Sequence, residues 1–339
     1  MEIEDKIRML EDYLKNKKCI LAFSAGSDST LLAYILSKVS PNSLLVTIDN
    51  NMMPDEFINY TKKQAKHYCL KHEIITLDFL KNPEFMENKK TRCYECRKLM
   101  YSNIQKLPQF HDYEYFIEGT NITDLLEDRP GILVRDMFNM TSPLVECDIT
   151  KQDVYDMIEH LNLDYSNNTT CLATRVKINE TVSHKKLDMI NKAEKLLRNY
   201  IKQENIRIRF DNYSAIITVD NPEELLDKNL IKDTKIKLKE IGFKKILLDI
   251  TGYEKTQLNF KIDSNGYYYY KLPYKINLEK TKEKIESKKT LTEKTKLNDK
   301  LIYDDIIIEE NGKISIPPTG DFNNKFNPIL STIERKSIW

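Results

Sequence analysis

Glycine is scarce in this chain, with 8 residues in 339, and neither G-x-G-x-x-G nor a loop ending in Gly-Lys-Ser/Thr occurs. The two commonest glycine-rich phosphate-binding patterns are therefore excluded. Cysteine is also sparse. Six scattered thiols are too few to staple a chain of this length, so any clustered ones point to metal binding or chemistry. Charge of one sign is missing as well: 53 basic and 52 acidic residues leave a net +1. No global field drives the protein onto nucleic acid, which argues against such a partner. No apolar run approaches the ~18 residues of a membrane span. Residues 1–18 read as a charged amphipathic helix without a signal-peptide core. The expectation is a cytoplasmic protein with no membrane partner.

What is present is a regular alternation. "CILAF" (residues 19–23), "SLLVTID" (43–49), "EIITLDF" (73–79) and "YEYFIEGTN" (113–121) read as buried strands, with helical patterns between them. Thr150 is a plausible N-cap for a helix from Lys151. This pattern predicts an α/β parallel sheet over residues 1–175. The character then changes: "IRIRF", "SAIITVD" and "KKILLDITGY" among helices predict a small α+β unit over 176–263. Residues 264–339 form a Lys-rich extension. Residues 279–300 hold eight lysines and five acids and read as a solvated helix or linker. Asn311-Gly312 suggests a hairpin.

The chemistry starts at "SAGSDST", residues 24–30, between a strand and a helix. Ala25 and Gly26 let the backbone approach an anion. The N–H groups and dipole of the next helix favour it. Ser24, Ser27, Ser29 and Thr30 add hydroxyls. Asp28 cannot favour a bare phosphate and makes sense if it holds Mg²⁺. The stretch resembles the SGGxDS/T loop of the PP-loop ATP pyrophosphatases, with Ala25 where the family has glycine. Such enzymes cut ATP between the α and β phosphates.

"TRCYECRKLM" places Cys93 and Cys96 at i and i+3, and Cys171 stands in "TTCLATRV". A lone C-x-x-C leaves zinc, a redox pair and an iron–sulfur site open. Arg175, four residues after Cys171, would lower the thiol pKa if close in space. Three thiolates would leave one iron of a [4Fe–4S] cluster without a protein ligand. Arg207 and Arg209 alternate along "IRIRF" and project to one face of a strand. Glu118, Gly119, Thr120 and Asn121 end a strand at the ligand-facing rim of an α/β sheet. Asp49 ends another and is a candidate nucleoside contact.

The segments "SAGSDSTLLA", "RCYECRK", "EGTNITDLLEDRPG", "SPLVECDITKQDV", "CLATRVKINETVS", "IRIRF" and "GFKKILLDITGYEKTQLN" together resemble the LarE family of ATP-dependent sulfur transferases, which build a nickel-pincer nucleotide cofactor. The resemblance implies that ATP adenylates a carboxylate of pyridinium-3,5-biscarboxylate mononucleotide and that sulfur then displaces AMP. It implies that Arg207, Arg209 and Arg175 serve the substrate, and that Cys93, Cys96 and Cys171 hold a [4Fe–4S] cluster fed by a sulfide donor. In a second branch of the family, Cys171 would give up its own sulfur. A homo-oligomer is expected. Residues 264–339 lie beyond the family's usual end. The rival readings are a tRNA-thiolating PP-loop enzyme, an amide-forming ligase and a non-catalytic nucleotide-binding protein.

Overall fold

The computed structural model describes residues 2–167, 170–253, 260–288, 295–297, 299–303, 305–318 and 322–336. Three sheets organise it. The first has the order β3-β2-β1-β4-β5, built from β1 (Cys19–Ala22), β2 (Leu44–Asp49), β3 (Lys71–Thr76), β4 (Tyr115–Ile117) and β5 (Met140–Thr141). Every pairing in it is parallel, so the expected α/β sheet is present. Parallel strands need both faces covered. Helices Ile3–Leu14, Ser27–Val39 and Lys151–His160 cover one face through Leu10, Leu14, Leu32, Leu36 and Val154. The other face, with Ile20, Val46 and Phe116, runs into a single core with the second sheet. Strand order reverses between β1 and β4, and a crevice opens there beyond the carboxyl ends of the strands.

The second sheet is β6-β7-β8: β6 (Ile206–Asp211) runs antiparallel to β7 (Ser214–Val219), and β8 (Lys245–Leu248) runs parallel to β7 after helix Lys228–Ile241. Gly242 ends that helix at φ +117°, a conformation that glycine adopts without cost.

The third sheet lies in the C-terminal extension. It comprises β9 (Lys261–Ile262), β10 (Tyr268–Lys271), β11 (Thr295–Leu297), β12 (Lys300–Tyr303), β13 (Ile306–Glu309) and β14 (Lys313–Ile316), in the order β11-β12-β13-β14-β10-β9. The hairpin at Asn311-Gly312 joins β13 to β14, with Gly312 at φ +96°. The solvated-helix expectation needs correction. Helix Leu278–Lys288 buries Leu278, Thr281 and Ile285, spaced for one face, under this sheet. Residues 289–294 lie outside the described residues. The same core takes in Ile122, Leu125, Leu126 and Val145 from the rim of the first sheet. The Tyr274 hydroxyl donates to the Leu125 carbonyl, and Arg335 pairs with Asp128 at 2.7 Å.

Candidate active site

β1 feeds straight into the loop. Beyond Ala22 the chain turns at Ala25, which sits at φ +55°, a left-handed conformation that costs a non-glycine residue about 1 kcal/mol. Its methyl group is fully buried. Gly26 caps helix Ser27–Val39. Inside the loop the Ser24 and Ser29 hydroxyls lie 3.2 Å apart, and Ser29 Oγ also donates to the Gly26 carbonyl at 3.2 Å. The free N–H groups of the helix start face the crevice.

A second helix start arrives beside it. Thr150 caps helix Lys151–His160 with a reciprocal box: its hydroxyl accepts from Asp153 N, and the Asp153 carboxylate accepts from Thr150 N at 2.9 Å. This aims Lys151 at the loop, where Nζ meets Asp28 Oδ2 at 2.5 Å and Ser27 Oγ at 2.7 Å. Asn121 Nδ2 donates to the other Asp28 oxygen at 2.8 Å. Asp28 is thus held between a cation and an amide.

At the end of β4, Glu118 is buried. It accepts from Thr120 Oγ1 at 2.6 Å and from the Ser142 hydroxyl, while Ser142 Oγ accepts from Arg135 Nη1 at 2.9 Å. Arg97 Nη1 lies 3.4 Å from Glu118 Oε2, buried and without a hydrogen-bond partner among the described residues. Burial pushes the Glu118 pKa up, but Arg97 and Arg135 outweigh it and hold the carboxyl below its usual range. Gly119 packs against the start of the loop helix: a Cβ there would come within 3.1 Å of Asp28 Cβ and 3.3 Å of Ser29 N.

The thiols complete the site. Helix Arg92–Ile104 carries Cys93 and Cys96 on its first turns. Cys171 caps the 3-10 turn Leu172–Arg175. The three act on one another electrostatically: burial first, then Cys171 and Cys93, push the Cys96 thiol up. Arg92 Nη2 lies 3.8 Å from Cys93 Sγ. The expected lowering of the Cys171 pKa by Arg175 does not prevail. Arg175 is committed to Glu194 at 3.0 Å, and burial raises the Cys171 thiol despite the Ala173 backbone N–H, Arg92 and Arg175.

One cleft of about 610 Å³ gathers most of this. It is lined by Ser24, Gly26, Ser27, Asp28, Ser29, Glu118, Gly119, Thr120, Cys93, Cys96, Cys171 and Arg207. Ala25, Thr30, Asp49, Asn121 and Arg175 stand behind the lining. Arg209 lies outside it: although on the same strand face as Arg207, it is exposed, whereas Arg207 is 7 % exposed. Burial, then repulsion from Arg175, lowers the Arg207 pKa to about 10. Sequence reasoning passed over Lys151, Arg92, Arg97, Arg129 and Asp124, which also line the cleft. Lys151 lay within a quoted motif, but its partner Asp28 is 123 positions away. The donor set suits an iron–sulfur group chemically, with three thiols bordering one cleft. Among the described residues, however, no three Cys, His, Asp or Glu side chains are assembled to hold a metal ion.

No family model matches the chain. It is 33% identical over 247 residues to an uncharacterized protein of Methanocaldococcus jannaschii, covering 72% of this chain and 94% of that one. It is 25% identical to the pyridinium-3,5-bisthiocarboxylic acid mononucleotide synthase of Lactiplantibacillus plantarum, over 72% of this chain and 89% of that enzyme. The chain belongs to the LarE family. The parallel sheet is accordingly a PP-loop fold, and the match extends, at 23% identity, to a glutamine-hydrolyzing GMP synthase of Saccharolobus solfataricus, over 67% of this chain and 68% of that one. More than a quarter of this LarE-family chain has no counterpart in these relatives. Among the described residues no helix is long and apolar enough to cross a membrane.

Proposed function

We propose that this protein is an ATP-dependent sulfur transferase acting on a pyridinium carboxylate mononucleotide. The observation that carries the reading is the meeting of the phosphate loop, a buried cation without an acid partner of its own and three thiols at one cleft. ATP binds with its phosphates on Ser24, Gly26, Ser27, Ser29 and Lys151, and Asp28 turns from Lys151 to Mg²⁺. Ala25 and Thr30 shape the loop, and Asp49, Gly119 and Thr120 border the nucleoside. Arg207 takes the substrate phosphate. Glu118 and Asn121 hold the rim, and Arg175 fixes the Cys171 turn through Thr174 Oγ1, 2.7 Å from Arg175 Nη1.

A substrate carboxylate oxygen attacks the α-phosphorus of ATP, the α–β anhydride bond breaks and pyrophosphate leaves. The acyl adenylate so formed is open to attack at its carbonyl carbon. Sulfur bonds there and the C–O bond to AMP breaks, leaving a thiocarboxylate. Adenylation matters because a bare carboxylate is a poor electrophile. Cys93, Cys96 and Cys171 would hold a [4Fe–4S] cluster, which supplies a sulfide received from an external donor. The unassembled donor set favours a second reading, in which Cys171 gives its own sulfur and becomes dehydroalanine. Residues 1–175, 176–263 and 264–339 then act as three domains in a homo-oligomer. The exposed side chains of Leu226, Ile231 and Ile250 offer a surface for a second copy.

The test is Cys171→Ala, prepared anaerobically. AMP and pyrophosphate release in a single turnover should persist and thiocarboxylate should vanish. Thiocarboxylate formed by the variant would overturn the role. Iron and sulfide analysis of the parent protein separates the two sulfur routes.

A further inference from the structure

The roles above leave one part of the cleft unused. Tyr155, Tyr165, Tyr253 and Glu204 line it together, and four separate stretches bring them there. Tyr155 stands at i+4 from Lys151 on the same helix face. Tyr165 is fixed by its neighbours: Ser166 N donates to Ala25 O at 2.9 Å, and Gln64 Nε2 to Asp164 O at 2.7 Å. The Tyr155 and Tyr165 ring centroids are 6.3 Å apart at a tilt of 38°. Glu204 precedes Asn205, which is pinned to the Asp220 carboxylate by hydrogen bonds of 2.8 and 2.9 Å. Tyr253 follows Gly252, whose φ of +76° permits the turn, and donates its N–H to Val219 O at 2.8 Å.

These groups share one electrostatic neighbourhood. Burial, then the carboxylates of Asp28 and Glu204, push the Tyr155 phenol up. Burial, then Tyr155 and Glu204, do the same to Tyr165. Tyr253 acts on Arg207, so the aromatic corner adjoins the buried cation. Among the described residues the Glu204 carboxylate makes no ion pair. Lys151 Nζ lies 5.0 Å from the Tyr155 ring centroid, but its charge is already paired to Asp28. Aromatic faces attract cations through the ring quadrupole, and an unpaired carboxylate beside them adds to the pull.

We infer that Tyr155, Tyr165, Tyr253 and Glu204 form the seat of a positively charged aromatic ring, which is selected for its charge as well as its shape. The ring's phosphate lies on Arg207 and its carboxylate turns toward Asp28 and the phosphate loop. This rests on the proposed function and deepens it, because it names the group that tells a pyridinium nucleotide from a neutral one.

The test uses the full-length protein and two probes of one skeleton: nicotinate mononucleotide, with a cationic ring, and its 1,4-dihydropyridine form, with a neutral ring. Calorimetry should give about tenfold tighter binding of the cationic form, the scale of one or two cation–π contacts plus a carboxylate. Glu204→Gln and Tyr253→Leu should each erase several-fold of that preference by weakening the cationic form alone. ATP affinity in the same samples shows that the cleft is intact. Equal binding of the two forms, or variants that weaken both alike, would overturn the ring assignment while leaving sulfur transfer standing. Failure of both probes to bind a protein that still binds ATP would overturn the proposed function and this inference with it.

Discussion

Lys151→Met isolates the contact that joins the two helix starts. Methionine keeps the apolar stem and removes the charge. In the free protein, Lys151 and Asp28 are 2.5 Å apart, with side chains 29% and 23% exposed. A pair at a protein surface attracts by about 4 kcal/mol at 4 Å before desolvation and side-chain ordering are counted. Partial exposure reduces the net to about 1 kcal/mol. Urea unfolding of the free protein should therefore shift by no more than about 1 kcal/mol. Function should change far more. A charge-assisted contact to phosphate contributes about 2–3 kcal/mol, so ATP binding should weaken by about 30- to 100-fold. Mg²⁺ binding in the absence of nucleotide should strengthen, because Asp28 no longer has an ammonium partner. Calorimetry with ATP and with Mg²⁺ alone reads both. Unchanged ATP affinity, or Mg²⁺ affinity that falls along with it, would refute the assignment of Lys151 to phosphate and of Asp28 to the metal.

Glu118→Gln should cost about 3 kcal/mol at neutral pH, since it leaves Arg97 and Arg135 buried with no counter-charge. Because the folded-state pKa of Glu118 lies below its unfolded value, its contribution is complete above about pH 4.5 and disappears as pH falls through the lower folded value. The gap between parent and variant in urea unfolding should therefore narrow in acid; a constant gap would contradict the ion-pair account. Ala25→Gly should be nearly neutral, within about 1 kcal/mol: relief of the left-handed backbone, about 1 kcal/mol, is offset by a lost buried methyl and by extra freedom in the unfolded chain. Ala25→Val combines a branched side chain at φ +55° with overpacking and should cost more than about 3 kcal/mol. Equal stability of the two variants in thermal unfolding would show that the left-handed turn is not what limits this position.

Local features could be read from the residues alone. The run from Cys19 through Gly26 to Val39 carries its own strand, turn and helix signals, and Thr150 with Asp153 spells out its cap within four positions. The site's ion pairs could not be read in this way, because Asp28 and Lys151, or Arg97 and Glu118, meet only once β1 and β4 lie side by side. Strand alternation placed Arg207 and Arg209 on one face but carried no information on how far the cleft runs along it. One is buried at the edge of the cleft and the other stands in the open. The buried face of helix Leu278–Lys288 was hidden for a different reason: three small or apolar positions among many lysines give a faint period, and what they pack against lies elsewhere in the chain.

The third sheet and the rim of the first share their apolar interior through Ile122, Leu125, Leu126 and Val145. The C-terminal quarter is therefore not an appendage that can be trimmed to the length of its shorter kin. Cutting it away would strip the cover from the segment that also presents Asp124 and Arg129 to the catalytic crevice. Shorter members of the lineage must dress that segment with other side chains or another neighbour. In this chain, the tail and the rim are bound to change together.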